Sequence, residues 1–238
     1  VTAVAGWSRL ELRIGRRLTA AEQHIAVEEI DRLLNTAKDE LEQEIQAEQA
    51  RVARAIARRQ GGRAVLQATP EMRRILRDLR AAGRAHALAE LSSMGYPVPG
   101  RAYEQPPDWW AGILDSRLAD VTVRVHAEAV GLDFGTIAQQ AIIRALRRVK
   151  GARFAAADLV SPVFVSGLAD TFEQHADLVT AWQYTAVNDS GLCDVCAPWD
   201  GHVFASLDAL FEVLPDFGPN PECLGGRRCR CRAVPVPA

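Results

Sequence analysis

The chain has 238 residues, 28 basic and 30 acidic side chains, a net charge of −2 and 48% hydrophobic residues. That length holds one sizeable domain or two small ones, and the balanced charge argues against a generally basic coat for nucleic acid. No apolar run approaches the roughly 20 residues that span a bilayer, and no charged-then-apolar segment opens the chain, so the expectation is a soluble protein, intracellular when made, with no membrane partner.

The chain starts at Val1 rather than methionine, so it is expected to be a processed product or part of a longer polypeptide. Its only lysines are Lys38 and Lys150; the arginine bias reads as codon usage of a GC-rich host rather than a binding code. Trp7 to Leu18 is a short amphipathic start, with Leu10, Ile14 and Leu18 at helical spacing. Thr19-Ala20-Ala21-Glu22 reads as a capping box. From there Val27, Ile30, Leu34, Ala37, Leu41 and Ile45 form one stripe, Glu48 interrupts it, and Val52 and Ile56 resume it, the pattern of a single apolar helix face. Gly61-Gly62 ends the run, predicting a long helix of about 40 residues and roughly 60 Å. Such a helix is too long for a small globule to cover, so it is predicted to pack in coiled-coil fashion, including on a second copy, or to protrude as an arm toward a partner. Acidic residues cluster early in it and Arg51, Arg54, Arg58 and Arg59 late, which complements the helix dipole.

Thr69-Pro70-Glu71 is a second helix start, followed by Met72, Ile75, Leu76, Leu79, Leu88 and Leu91 on one face and a stop at Gly95. Gly83 inside the run weakens it. Tyr96 to Pro107, with its prolines and glycine, is the clearest linker. Asp108 is the expected cap of a third helix whose inner face is Trp109, Ile113, Leu114, Leu118, Val121 and Val125; one of Trp109 and Trp110 is expected in the core. After a break at Gly131 to Gly135, a helix from Thr136 to Gly151 carries Ile137, Ala141, Ile142, Leu146 and Val149, and Ser161-Pro162 opens a further one with Val165, Leu168 and Phe172. The period then changes. Thr180 to Val187 alternates as a strand does, His202-Val203-Phe204 is a second short strand, Leu207 to Leu214 a helical turn, and Arg230 to Val234 a third strand.

All five cysteines lie in this last stretch: Cys193, Cys196, Cys223, Cys229 and Cys231. A C-x2-C pair folding back on a second cysteine group is the way a chain builds a tetrahedral thiolate site, and Zn²⁺ is the expected structural cofactor. A disulfide framework fits poorly, because the count is odd and a long cysteine-free region precedes the cluster. A thioredoxin-like pair would need the start of a helix, whereas Asn188 to Gly191 and Pro198 spell turns. The tripeptide His126-Ala127-Glu128 ahead of a C-x-x-C raises a zinc deaminase, but Leu192 rather than proline precedes Cys193 and three cysteines stay unexplained. Cys193, Cys196 and Cys223 are the firm ligands, with Cys229 and Cys231 competing for the fourth place. His202 could replace one cysteine, but an exposed loop histidine is the favoured reading, and Trp182 and Phe204 are expected to pack over the thiolates. The fold class is therefore mainly α, with a small C-terminal zinc-stabilised α+β module and a long N-terminal helix. Three segments are expected: 1–106 as a helical arm region, 107–179 as a helical domain and 180–238 as the zinc module. With few large apolar side chains in that module, metal binding is expected to supply its stability.

The order Trp182, Asp189, Cys193-x-x-Cys196, Asp200-Gly201-x-Val203-Phe204, a proline-rich turn and Cys229-Arg230-Cys231 resembles the phage Mu protein F-like family, minor head or head-morphogenesis proteins of tailed bacteriophages. The likeness covers about Thr180 to Val234 and does not extend to the first hundred residues. Cys223 stands where the family usually has histidine, which keeps a zinc ligand, and Leu224 to Arg228 is longer than the usual spacer. The resemblance implies a minor structural protein that associates with portal, scaffold or major capsid protein during procapsid assembly. Its implied location is the procapsid interior or virion head, beside packaged DNA, after assembly in the host cytoplasm. No nucleophile stands beside an evident base in a recognisable motif, and a fully thiolate-coordinated zinc has no open position for water, so an enzyme is not expected. The alternative is a zinc-ribbon nucleic-acid binder using Arg227, Arg228, Arg230 and Arg232.

Overall fold

The computed structural model describes residues 20–58, 64–96, 98, 108–132, 139–186, 193–214, 217, 220, 222–223 and 231–236, without the side chains of 20–27. The expected start at Trp7 to Leu18, the capping Thr19, the Gly61-Gly62 stop, Asp189 and Cys229 lie outside those residues, as does the side chain of Glu22. Six α-helices and three strands follow in the order α1 (Ala20–Ala57), α2 (Pro70–Ser93), α3 (Trp110–Val130), α4 (Gln139–Arg147), α5 (Ala152–Gln174), β1 (Trp182–Thr185), β2 (Val203–Phe204), α6 (Leu207–Phe211) and β3 (Arg232–Pro235). The described chain is mainly helical. Two compact units interleave along it: one from Asp31–Asp78 and Gln105–Val160, the other from Val1–Ile30, Leu79–Glu104 and Ser161–Ala238. The linker expected at 96–107 contains the boundary at Glu104. No boundary falls at 179, for a reason given below.

In the first, all-helical unit, α1 buries Ala37, Leu41, Ile45, Val52, Ala53 and Ile56, the second half of the stripe, while 28–36 holds no buried residue. The gap in that stripe is a pair of pins. Glu48 is buried and accepts from Arg51 at 2.7 and 2.8 Å and from the Gln67 backbone N–H at 3.0 Å. Burial alone would raise its pKa, but the Arg51 and Gln67 hydrogen bonds and the Arg51 charge outweigh it and hold the carboxyl below its ordinary range. Gln49, also buried, donates its amide to the Leu146 and Val149 carbonyls at 2.7 and 3.1 Å, adding a partner for these acceptors where α4 ends.

Helix α2 starts as expected. The Thr69 hydroxyl accepts from the Met72 N–H at 3.1 Å, a side-chain cap that satisfies one orphan donor. At its end the Tyr96 N–H reaches back to the Leu91 carbonyl around Gly95, at φ +88°, a left-handed stop that glycine adopts without strain. Helix α3 departs from expectation at its start. Trp109 is the capping residue, makes no side-chain cap and is exposed, while Trp110 is fully buried. Asp108 supplies its carbonyl to the Ala111 N–H instead. The expected helix start at Ser161-Pro162 is also corrected: α5 begins at Ala152 and carries Pro162 inside it. An interior proline costs about 3 kcal/mol through its missing donor and ring clash. Around it Leu159, Val160, Val163, Phe164 and Leu168 are buried, at about 1.5–3 kcal/mol for each large side chain, so tertiary burial overrides the local break. The stretch Gln139–Gln174 is long and apolar enough to cross a membrane by composition, which the run-length reading missed, and half of its most apolar window is buried in the protein.

In the second unit, α2 and α5 cross at backbone contact. A Cβ added to Gly83 would stand 2.1 Å from the Phe164 carbonyl oxygen, and one added to Gly167 would stand 2.1 Å from that of Arg80. The Arg80 guanidinium locks the same crossing by pairing with Asp170 at 2.7 Å. Gly83, which weakens the helix locally, is what lets the helices touch. The sheet is antiparallel in the order β2-β1-β3, with Trp182 opposite Phe204 and Pro235, and Tyr184 opposite Ala233. Trp182 meets Phe172 of α5 at 5.3 Å and Phe217 at 5.0 Å between ring centroids, and Phe217 meets Phe211 at 5.1 Å. The Tyr96 hydroxyl, just beyond α2, donates to the Val236 carbonyl. Segment 180–238 is therefore joined to α5 by an aromatic core and to Tyr96, just beyond α2, by a hydrogen bond, where a boundary at 179 was expected. Phe217 enters that core with φ +54° and is 1% exposed, a strained backbone compensated by a large buried ring.

The helix crossing yields a paired expectation. Gly83→Ala should destabilise the protein by about 2 kcal/mol in urea unfolding, because overpacking a backbone contact outweighs the better helix propensity of alanine. Gly112→Ala in α3, where an added Cβ meets nothing within 4 Å, should instead be neutral or stabilise by up to about 1 kcal/mol.

Candidate metal centre

Strand β1 presents Trp182 and Tyr184 to the same buried face, and the Tyr184 ring organises the cysteines. After β1, the chain returns at Cys193 into a tight knuckle in which the Cys193 carbonyl accepts from the Cys196 and Ala197 N–H groups, both at 3.1 Å. A single 3₁₀ turn, Ala197–Trp199, follows with Pro198 at its start. The knuckle is tied back to the sheet at two points. The Asp200 carboxylate accepts from the Ala186 N–H at 2.9 Å, and Gly201, at φ +80°, donates its N–H to the Tyr184 carbonyl at 2.8 Å. The second cysteine loop is an Asx turn: the Asn220 side-chain oxygen accepts from the Glu222 N–H at 2.9 Å and the Asn220 carbonyl from the Cys223 N–H at 2.8 Å. Cys231 stands one residue before β3.

Among the described residues one group could hold a metal ion: the sulfurs of Cys193, Cys196 and Cys223 all lie within 4.8 Å of one another. The Cys193 and Cys223 Sγ atoms are 3.5 Å apart. Cys193 is half-buried, whereas Cys196, Cys223 and Cys231 are buried, and none of the four is in a disulfide. The Tyr184 hydroxyl accepts from the Asn220 N–H at 3.2 Å and donates to Cys196 Sγ at 3.3 Å, so one side chain links both cysteine-bearing loops. Burial pushes the Cys196 thiol up to about 12; the Tyr184 hydrogen bond opposes this, while contacts with Cys223 and Cys193 and the Cys231 charge add to it. Tyr184 itself is raised, first by burial and then by its bond to Cys196, against the Asn220 N–H and with the nearby Cys231 and Cys196 charges adding. Crowded sulfurs of this kind ionise together only if a cation neutralises them. A soft, buried thiolate set suits a d¹⁰ ion such as Zn²⁺. Cys231 is not one of the three sulfurs of that group, although it acts electrostatically on both Cys196 and Tyr184; Cys229 lies outside the described residues.

Other expected residues fall elsewhere. Trp182 packs on Phe172 and Phe217, and Phe204 stacks with Trp199 and His202; the ring against the sulfurs is Tyr184. His202 is exposed in that aromatic stack and is not in the thiol group. His126 of α3 donates Nε2–H to the Ala64 carbonyl at 2.7 Å, so that nitrogen has no lone pair for a metal. Arg232 turns inward. Its guanidinium donates to His86 Nε2 at 3.0 Å and to the Glu90 carboxylate at 3.3 Å, both on α2. Since arginine only donates, His86 Nε2 carries the lone pair; burial first and the Arg232 charge second hold this imidazole neutral, well below its ordinary range. Its approach to Glu90 is therefore not an ion pair. Sequence pattern gave no sign of Tyr184, Asn220 or the His86–Glu90–Arg232 group; the alternation that puts Tyr184 on the Trp182 face was the nearest signal.

The chain matches no family model, no curated protein and no solved structure.

A folded-state imidazole below its unfolded value stabilises the fold above about pH 6.5, and that contribution is lost as pH falls, because the unfolded chain takes up a proton that the folded one refuses. His86→Gln should accordingly lose less stability than the wild type between pH 7.5 and 5.5 in parallel urea titrations. The comparison cancels the titrating groups that do not touch His86.

Proposed function

We propose that this chain is a non-catalytic structural protein of a tailed-phage head whose C-terminal unit is fastened by one zinc ion on Cys193, Cys196, Cys223 and Cys231. The observation that carries the reading is the work done by the residues of the motif that are not ligands. Asp200 pins the knuckle to β1, and Gly201 supplies the left-handed turn that lets the chain pair with Tyr184. The spacing that resembles the Mu F-like proteins thus has a physical purpose in this chain, and buried thiolates around a closed ion suit architecture rather than turnover. Zinc would neutralise and cross-link the thiolates, and the chain's own part is to hold the sulfurs in register and keep them dry. Portal, scaffold or major capsid protein is the partner class that follows. The early part of α1, which holds no buried residue over 28–36, suits such docking or self-association. The nucleic-acid alternative is weakened by Arg232, which is engaged by Glu90 and His86 rather than offered to phosphate.

Measurements of metal content, sedimentation and DNA affinity test this. Elemental analysis of protein purified under reducing conditions should give one zinc per chain, with four thiols becoming reactive on chelation. Cys231→Ser should lose tight zinc binding and Cys229→Ser should keep it; the reverse result would move the fourth ligand. In lysates of producing cells the chain should sediment with portal or capsid particles, and its affinity for duplex DNA should be weak. Sedimentation as a free chain together with tight DNA binding that falls steeply with salt would favour the nucleic-acid reading.

A further inference from the structure

We propose that hydroperoxides oxidise Cys193 and Cys223 to a disulfide and thereby release the metal ion, making the centre an oxidation-sensitive clasp; this rests on the metal reading above. The four sulfurs are not equivalent. Cys193 is half-buried, and Cys196, Cys223 and Cys231 are 0%, 8% and 4% exposed, so among the described cysteines Cys193 is the one an oxidant from solvent meets first. Its partner at contact distance is Cys223, at 3.5 Å between sulfurs. Both lie outside helix and strand, so closing the remaining gap breaks no helix or strand pairing. The other two are restrained. Cys196 opens the 3₁₀ turn and receives the Tyr184 hydroxyl hydrogen bond, which lowers the electron density that its sulfur can offer an electrophile. Cys231 leads directly into β3, which is held to β1 by four facing residue pairs.

The chemistry balances with a hydroperoxide as oxidant. The Cys193 thiolate attacks the peroxide, an S–O bond forms as the O–O bond breaks, and the alkoxide or hydroxide leaves with a proton as alcohol or water. The Cys223 sulfur then attacks the resulting sulfenic acid; the S–S bond forms, the S–O bond breaks and water leaves. Two electrons pass from the two sulfurs to the peroxide. A tetrahedral ion that has lost two of its four thiolates keeps too few ligands to stay bound. A dithiol reductant with added zinc reverses the process.

The test is a titration of the zinc-loaded, full-length protein with hydrogen peroxide, following zinc with a chromogenic chelator and thiols by alkylation and peptide mapping. One equivalent should release one zinc and remove two thiols, mapping to a Cys193–Cys223 bridge, with Cys196 and Cys231 alkylated. Dithiothreitol with zinc should restore the starting state. Zinc retained through several equivalents, or a bridge involving Cys196, Cys229 or Cys231, overturns the proposal and leaves the metal reading standing. Protein that carries no zinc before peroxide is added, and takes none up when reduced, overturns the metal reading itself. Cys223→Ser separates the two oxidation steps: peroxide should then leave a sulfenic acid at Cys193, trapped by dimedone. No trapped product there counts against Cys193 as the entry point.

Discussion

A cysteine side chain reaches only one bond beyond its Cβ, so sulfurs from distant parts of a chain meet only where their backbones are brought within a few ångströms. Here that constraint is met by a single strand. β1 pairs with β2 and β3, receives the Gly201 and His202 backbone bonds of the knuckle, and sends the Tyr184 hydroxyl between Cys196 and Asn220. The behaviour proposed for the thiols depends on how that strand holds the loops around it. The strand in turn depends on the aromatic cluster of Phe172, Trp182 and Phe217 behind it.

Two sources of order therefore act on the C-terminal segment. The aromatic core gives β1 its place whether or not an ion is present, since ring burial is independent of thiol ionisation. The ion would act on the loops, where few apolar side chains are available and where crowded sulfurs would otherwise remain protonated. This division differs from the zinc finger, in which metal binding is folding. It also explains why no boundary falls at 179: Phe172 belongs to α5, and Tyr96 and His86 to the α2 region.

What was legible in the sequence was local. The Thr69 cap, the Gly95 stop, the alternation of β1 and the clustering of cysteines are each written within a few neighbouring residues, because capping, left-handed turns and pleating act over that range. What was not legible depends on partners far along the chain. Glu48 reads as a flaw in an apolar stripe, yet it accepts from a backbone N–H 19 positions on, and Gln49 beside it bonds to a carbonyl 97 positions on. Gly83 read as a weak point because its partner, the Phe164 carbonyl, is invisible to any helical period. Pro162 read as a start signal because the buried neighbours that outweigh its cost lie on other elements. Tyr184 was read as an ordinary strand former, since nothing in its surroundings announces that its hydroxyl will meet a sulfur.

The interleaving of the two units sets an order of events during synthesis. Every residue of the all-helical unit beyond α1's first turns has been made once Val160 is complete, so its packing can begin while the ribosome is still at work. The other unit has to wait. Arg232 meets His86 across 146 positions, and Tyr96 meets Val236 across 140. Loops of that size close slowly, and until they do, the inner faces of α2 and α5 and several thiols stand open to the solvent of the cell. The nascent chain therefore passes through a stage in which its cysteines are made but not yet sheltered by the fold, and that interval, rather than the finished fold, is where a folding helper would matter most.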